Sequence, residues 1–166
     1  MPNILFVCTA NVCRSPVAEV IFSDWLARQA IPGDWQVTSA GTWALAGQSA
    51  STYSREVLAE QGLNLGEHRS RRVDHELMAQ SDVVLCMTRS QAEAIKVEFP
   101  EHAGRVHLLT AIAGPGYDVA DPYGGPREGY VMMAAELQRL IEAAGPRIVA
   151  LAGVPAEVQP PVKADD

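Results

Sequence analysis

At 166 residues the chain has the length of one domain with a full hydrophobic core. A hydrophobic fraction of 48% against 20% charged residues is ordinary globular composition, and no apolar run reaches the roughly 20 residues that span a bilayer. The formal charge of −7 excludes broad electrostatic binding to nucleic acid, while leaving room for a local anion pocket.

The chain opens on Asn3–Val7, a short apolar run rich in strand formers. It lacks the basic leader and long apolar stretch of a signal peptide. Three cysteines, two of them five residues apart, make no extracellular disulfide framework, so a reducing cytoplasm is expected. A polar loop follows, and then a helix whose Val17, Val20, Ile21, Trp25 and Leu26 approximate helical spacing. Ser15 is its expected cap and Pro16 suits its first turn.

Trp35–Ala40 alternates as a second strand. A helix over Ser51–Gln61 comes next, closed by Gly62. After its first residue Asp82–Met87 is continuously apolar, as a central parallel strand covered on both faces must be. Arg89–Phe99 reads as a helix ended by Pro100, Val106–Leu109 as a fourth strand, and Met132–Ile141 as a helix after a Gly- and Pro-rich loop. Strands alternating with helices predict an α/β fold: one three-layer domain over residues 1–144, with a mostly four-stranded parallel sheet between helices. Pro146, Pro155, Pro160 and Pro161, with an acidic end, mark 145–166 as a loosely attached tail in which Ile148–Leu151 has the option of docking as a strand.

The chemistry concentrates between the first strand and first helix, in Cys8-Thr9-Ala10-Asn11-Val12-Cys13-Arg14-Ser15. A cysteine and an arginine six positions apart are weak evidence alone, since chance supplies that spacing with a probability of roughly 0.2 at such composition. Context sharpens it. A loop that empties into a helix N-terminus presents backbone N–H groups and the positive end of the helix dipole, which suits a phosphate dianion. An arginine at its end can grip two oxygens bidentately, and the same field favours the nucleophilic thiolate of Cys8. Arg69, Arg71 and Arg72 are further cations, of which at least two read as a solvated face. Cys86, among Val83, Val84, Leu85 and Met87, reads as core. No His/Cys/Asp cluster has zinc spacing.

Val7–Glu19 as a whole resembles the signature of the low-molecular-weight protein-tyrosine phosphatases. The likeness extends to Ser39-Ala40-Gly41-Thr42, to His68 with Arg71, to Asp82–Met87 and to Asp121-Pro122-Tyr123-Gly124, and spans residues 3 to 143. The resemblance implies that Cys8 is the nucleophile, Arg14 the phosphate clamp and Asp121 the general acid, although Asp-Pro is by itself an ordinary turn former. It implies a phosphate-binding loop of Thr9, Ala10, Asn11, Val12, Cys13 and Ser15, supported by Ser39 and His68. It further implies Cys13 as the partner that traps an oxidised Cys8 as a disulfide. One departure lies inside the loop. The family usually has glycine where this chain has Ala10, and an alanine held at φ > 0 would cost on the order of 1 kcal/mol.

The activity implied is hydrolysis of protein phosphotyrosine through a phosphocysteine, with no metal or organic cofactor, on a phosphorylated protein or peptide, with phosphate and other oxyanions as inhibitors. No nucleic acid or membrane partner is expected. Val12, Trp43, Leu45 and Tyr123 are expected to wall the substrate pocket. In the resembled arginine phosphatases the position of Val12 is typically threonine, which favours phosphotyrosine here, whereas Tyr123-Gly124-Gly125 resembles the arginine-type loop and keeps a protein-arginine phosphatase as the alternative. An arsenate reductase needs two resolving cysteines, and only Cys86 lies beyond the loop. A non-catalytic phosphate-binding module would not need both Cys8 and Asp121.

Overall fold

The computed structural model describes residues 1–154. Four strands, β1 (Asn3–Cys8), β2 (Gln36–Gly41), β3 (Val83–Cys86) and β4 (Val106–Leu108), form one sheet in the order β2-β1-β3-β4, with every pairing parallel. The helices are α1 (Arg14–Arg28), α2 (Thr52–Ala59), α3 (His75–Gln80), α4 (Arg89–Glu98), α5 (Leu109–Ala113) and α6 (Arg127–Leu151), with a 3₁₀ turn over Pro100–Arg105. This is the expected three-layer sandwich. The two-residue period of β1 divides the core: Ile4, Phe6 and Cys8 face the layer of α1, α2 and α6, while Leu5 and Val7 face Met78 of α3 and Ala92 and Ile95 of α4. Both faces are covered, which is why β3 reads as an unbroken apolar run.

Because all four strands are parallel, their C-terminal ends lie on one edge, and β1 and β3, the two central strands, end there at Cys8 and Cys86. Ligands bind at that edge in open α/β sheets.

Two expectations need correction. Ser15 is not the cap of α1: Cys13 holds that position without a capping hydrogen bond from its side chain, and Ser15 lies inside the first turn with its hydroxyl turned to Cys8. The domain also does not end at 144, nor is 148–151 a strand. Helix α6 runs through Pro146 to Leu151, and Ala144, Ile148 and Val149 are fully buried. Proline in a helix interior costs about 3 kcal/mol, but burying Ile148 and Val149 offsets it at about 1.5–3 kcal/mol each. Pro146 itself sits on the exposed face. Gly145 makes the seam possible, since a Cβ there would meet the Trp25 ring of α1 at 2.4–2.7 Å. The remainder of the expected tail, 155–166, lies outside the described residues.

Candidate active site

Peptide planarity decides what the loop after β1 offers a ligand. The carbonyl of Cys8 accepts from Thr42 N (3.0 Å), that of Thr9 from Trp43 N (2.9 Å) and that of Val12 from Ser51 N (2.8 Å), while the Asn11 carbonyl lies 2.7 Å from His68 Nε2. These carbonyls are therefore turned outward into the scaffold. In a trans peptide the N–H of the next residue points the opposite way, so the amides of Thr9, Ala10, Val12 and Cys13 turn toward the loop's interior, where α1 also directs its N-terminus. The loop is a ring of donors.

Asn11 holds that ring in shape. It is fully buried at φ 58°, the left-handed region that asparagine tolerates better than most side chains. Its Nδ2 donates to Ser15 Oγ and to Ser39 Oγ, both at 2.9 Å, and its Oδ1 accepts from Arg71 N at 3.0 Å. Ala10 is not at positive φ, so the strain expected of an alanine there does not arise; the left-handed residue is its neighbour.

Cys8 ends β1 with Sγ 3.0 Å from Ser15 Oγ. Since Ser15 Oγ accepts from Asn11, its own proton is free for that sulfur or for the Ala40 carbonyl at 3.4 Å. The Arg14 side chain is buried: one terminal nitrogen donates to Val119 O (2.9 Å), the other lies 3.5 Å from Asp121 Oδ2, and Nε has no partner among the described residues. Asp121, whose side chain is 50% exposed, has one oxygen in a turn and one at the site: Oδ1 accepts from Tyr123 N (3.1 Å), as a turn former does, and Oδ2 lies 3.5 Å from an Arg14 nitrogen. Loops after β1 and after α5, far apart in sequence, thus bring Cys8, Arg14 and Asp121 to one place.

Trp43, Leu45 and Tyr123 are highly exposed, whereas Val12, within the loop, packs mostly against the core and keeps 7% of its surface exposed. Arg69, Arg71 and Arg72 stay on the surface: Arg71 binds Ser39 O through Nε, and Arg69 binds Ser49 Oγ. Cys13 is buried with Sγ 3.9 Å from Tyr130 Oη, and burial raises its pKa. Cys86, wholly inside the sheet, is pushed up to about 12 by desolvation.

Three contributors went unread in the sequence. Glu19 of α1 accepts from Ser39 Oγ at 2.5 Å; burial raises its pKa against that bond and the attraction of His68 and Arg71. Gln91 donates to Thr9 Oγ1 (3.1 Å) and accepts from Met87 N and Thr88 N, and the Thr88-x-x-Gln91 capping box was a legible signal for it. Val119 supplies only a carbonyl, so nothing in its side chain could have announced it. Among the described residues no group of three or more His, Cys, Asp or Glu could hold a metal ion, and no helix is long and apolar enough to cross a membrane.

Fold and site together define a class: an α/β protein in which an amide-lined loop between a parallel strand and a helix surrounds a cysteine. Residues 3–149 match the family described as low molecular weight phosphotyrosine protein phosphatase, and the chain belongs to that family of cysteine-dependent phosphatases. It is 36% identical over 149 residues, 90% of this chain and 97% of the relative, to a probable low molecular weight protein-tyrosine-phosphatase, EpsP, of Ralstonia nicotianae. It is 38% identical to a protein-arginine-phosphatase of Geobacillus stearothermophilus, covering 84% and 91% of the two chains. Among solved structures, a low molecular weight protein tyrosine phosphatase of T. tengcongensis superposes with a TM-score of 0.81 at 37% identity, over 86% of this chain and 97% of that one. A YwlE arginine phosphatase mutant with a phosphorylated active-site serine superposes with a TM-score of 0.83 at 33% identity, over 88% and 95%.

Proposed function

We propose that this chain hydrolyses phosphotyrosine in proteins by double displacement at Cys8. The observation that carries the reading is the loop whose outward-tied carbonyls turn four amides inward, between the thiol of Cys8 and the guanidinium of Arg14. The Cys8 thiolate attacks phosphorus while the amides and Arg14 stabilise the equatorial oxygens, and Asp121 gives a proton to the departing phenolate. The phosphorus–sulfur bond forms as the phosphorus–oxygen bond breaks. Water then attacks the phosphocysteine, Asp121 takes its proton, phosphate leaves, and the Ser15 hydroxyl donates to the departing sulfur. A relative that carries a phosphorylated serine at its active site supports a covalent route.

Asn11, Ser39 and His68 hold the loop, and Trp43, Leu45, Tyr123 and the exposed edge of Val12 receive the substrate side chain. Cys13 is the partner for an oxidised Cys8. Phosphate and related oxyanions inhibit by filling the same cradle, and the cytoplasm is the compartment in which the three thiols stay reduced.

One observation favours a second reading, a protein-arginine phosphatase. Gly124 sits at φ 77°, where a side chain is strained, so the wall beside Tyr123 stays open, and an arginine phosphatase is among the relatives at 38% identity. Val12 weighs toward phosphotyrosine, because an aliphatic wall offers no partner to the N–H groups of a phosphoguanidinium. Parallel kinetics on phosphotyrosine and phosphoarginine peptides decide it. The expected result is a higher kcat/KM for phosphotyrosine, with Val12→Thr moving the ratio toward phosphoarginine; a wild-type preference for phosphoarginine overturns it.

A further inference from the structure

Three backbone segments lie side by side at the mouth of the site. Cys8, the last residue of β1, is in register with Gly41 at the end of β2, and Gly41 in turn forms a parallel bridge with Arg72. Gly41 N donates to Arg71 O and Val73 N to Gly41 O, so the 71–73 segment extends the sheet edge by one short strand. Two strand spacings put the Cα of Arg72 about 10 Å from that of Cys8, the length of about three residues of extended peptide.

The Arg72 side chain is exposed, with Cζ 5.2 Å from the centre of the Trp43 ring, itself 75% exposed and joined to the loop through Trp43 N and Thr9 O. This cation–π contact restricts the guanidinium at the rim. The other arginines of the segment are engaged, Arg69 with Ser49 and Arg71 with Ser39, but among the described residues Arg72 makes no side-chain hydrogen bond or ion pair. Its in-plane N–H groups remain free to fork onto a carboxylate. The nearest acidic neighbour in sequence, Asp74, is committed to capping α3 through Leu77 N.

We infer that Arg72, stacked on Trp43, is a specificity-determining residue that selects phosphorylated segments carrying Asp or Glu within about three residues of the phosphorylated side chain. The inference rests on the protein-phosphatase reading above. Against a chain of net charge −7, which repels acidic segments as a whole, one restrained cation beside the mouth gives such segments a local point of attachment. An exposed pair of this kind gives a preference of about 1.5- to 5-fold.

The test compares two phosphotyrosine peptides that differ only in acidic or neutral flanks, together with a small aryl phosphate, for wild type, Arg72→Gln and Arg72→Glu. Wild type should favour the acidic peptide in kcat/KM by a few-fold, through KM, and the preference should shrink as salt shortens the Debye length below the contact distances involved. Arg72→Gln should erase it and Arg72→Glu reverse it, with aryl phosphate turnover unchanged in both. Equal use of the two peptides by wild type, or an acidic preference that survives Arg72→Glu, overturns the inference while leaving the phosphatase reading standing. Turnover of the aryl phosphate alone, with neither peptide hydrolysed, overturns the reading and the inference together.

Discussion

Cys8 and Ser15 lie 3.0 Å apart inside a ring of amides, and removing the sulfur while keeping that ring separates chemistry from binding. Cys8→Ser should abolish turnover of any phosphomonoester while phosphate still binds and the unfolding midpoint is unchanged, as calorimetric titration and thermal melts would register. Retained turnover would refute nucleophilic catalysis by Cys8. Asp121 allows a sharper division of roles, because one of its oxygens serves the Tyr123 turn and the other faces Arg14. Asparagine preserves a turn-forming oxygen but cannot give up a proton. Asp121→Asn should therefore slow substrates with poor leaving groups by roughly 10²–10⁴-fold and activated aryl phosphates far less. An equal loss on both, in steady-state kinetics, would assign Asp121 to the turn alone.

At the scale of elements, the seam between α1 and α6 sets two adjacent substitutions in opposite directions. Gly145→Ala forces a methyl into the Trp25 ring at under 3 Å and should cost about 1–3 kcal/mol. Pro146 faces solvent one residue further on, where it lacks the N–H of a helix hydrogen bond and its ring crowds the carbonyl four residues back. Pro146→Ala should recover most of the proline penalty of about 3 kcal/mol, less the 0.4–1 kcal/mol by which proline restrains the unfolded chain. Urea unfolding of the pair measures both signs. A destabilised Pro146→Ala would mean that the last turns of α6 contribute less than their burial suggests.

Across the whole molecule, one polar network ties α1, β2, the phosphate loop and the 68–71 segment: Glu19 to Ser39, Ser39 to Asn11, and Asn11 to Arg71 and, through its carbonyl, to His68. Burial raises the Glu19 pKa above its ordinary 4.5, so the folded protein holds that proton more tightly than the unfolded chain does. The contribution is complete below 4.5 and lost as pH rises through the higher folded value, after which the buried carboxylate is a constant penalty. Glu19→Gln keeps an oxygen for Ser39 and removes the titration. Relative to wild type it should gain stability between pH 4 and pH 7 in urea titrations, and a difference that stays flat or shrinks over that interval would contradict the burial argument.

What could be read from the sequence was whatever is encoded locally or periodically. The apolar runs at 3–7 and 82–87, the Cys8–Ser15 loop and the helix behind it are continuous stretches, so strand, loop and helix could be placed without a partner in view. The resemblance that pointed to Asp121 likewise rests on the short segment Asp121–Gly124. Only the tertiary structure decided the rest, because it depends on pairs distant in the chain. Gly145 against Trp25 is what carries α6 through a proline that local propensity reads as an end. The left-handed turn falls on Asn11 rather than on Ala10 because Ser15, Ser39 and Arg71 converge on the asparagine side chain. Glu19, Gln91 and the Val119 carbonyl join the site only because parallel strands bring the helices and loops that follow them to one edge of the sheet, a pairing of distant residues that no single segment contains.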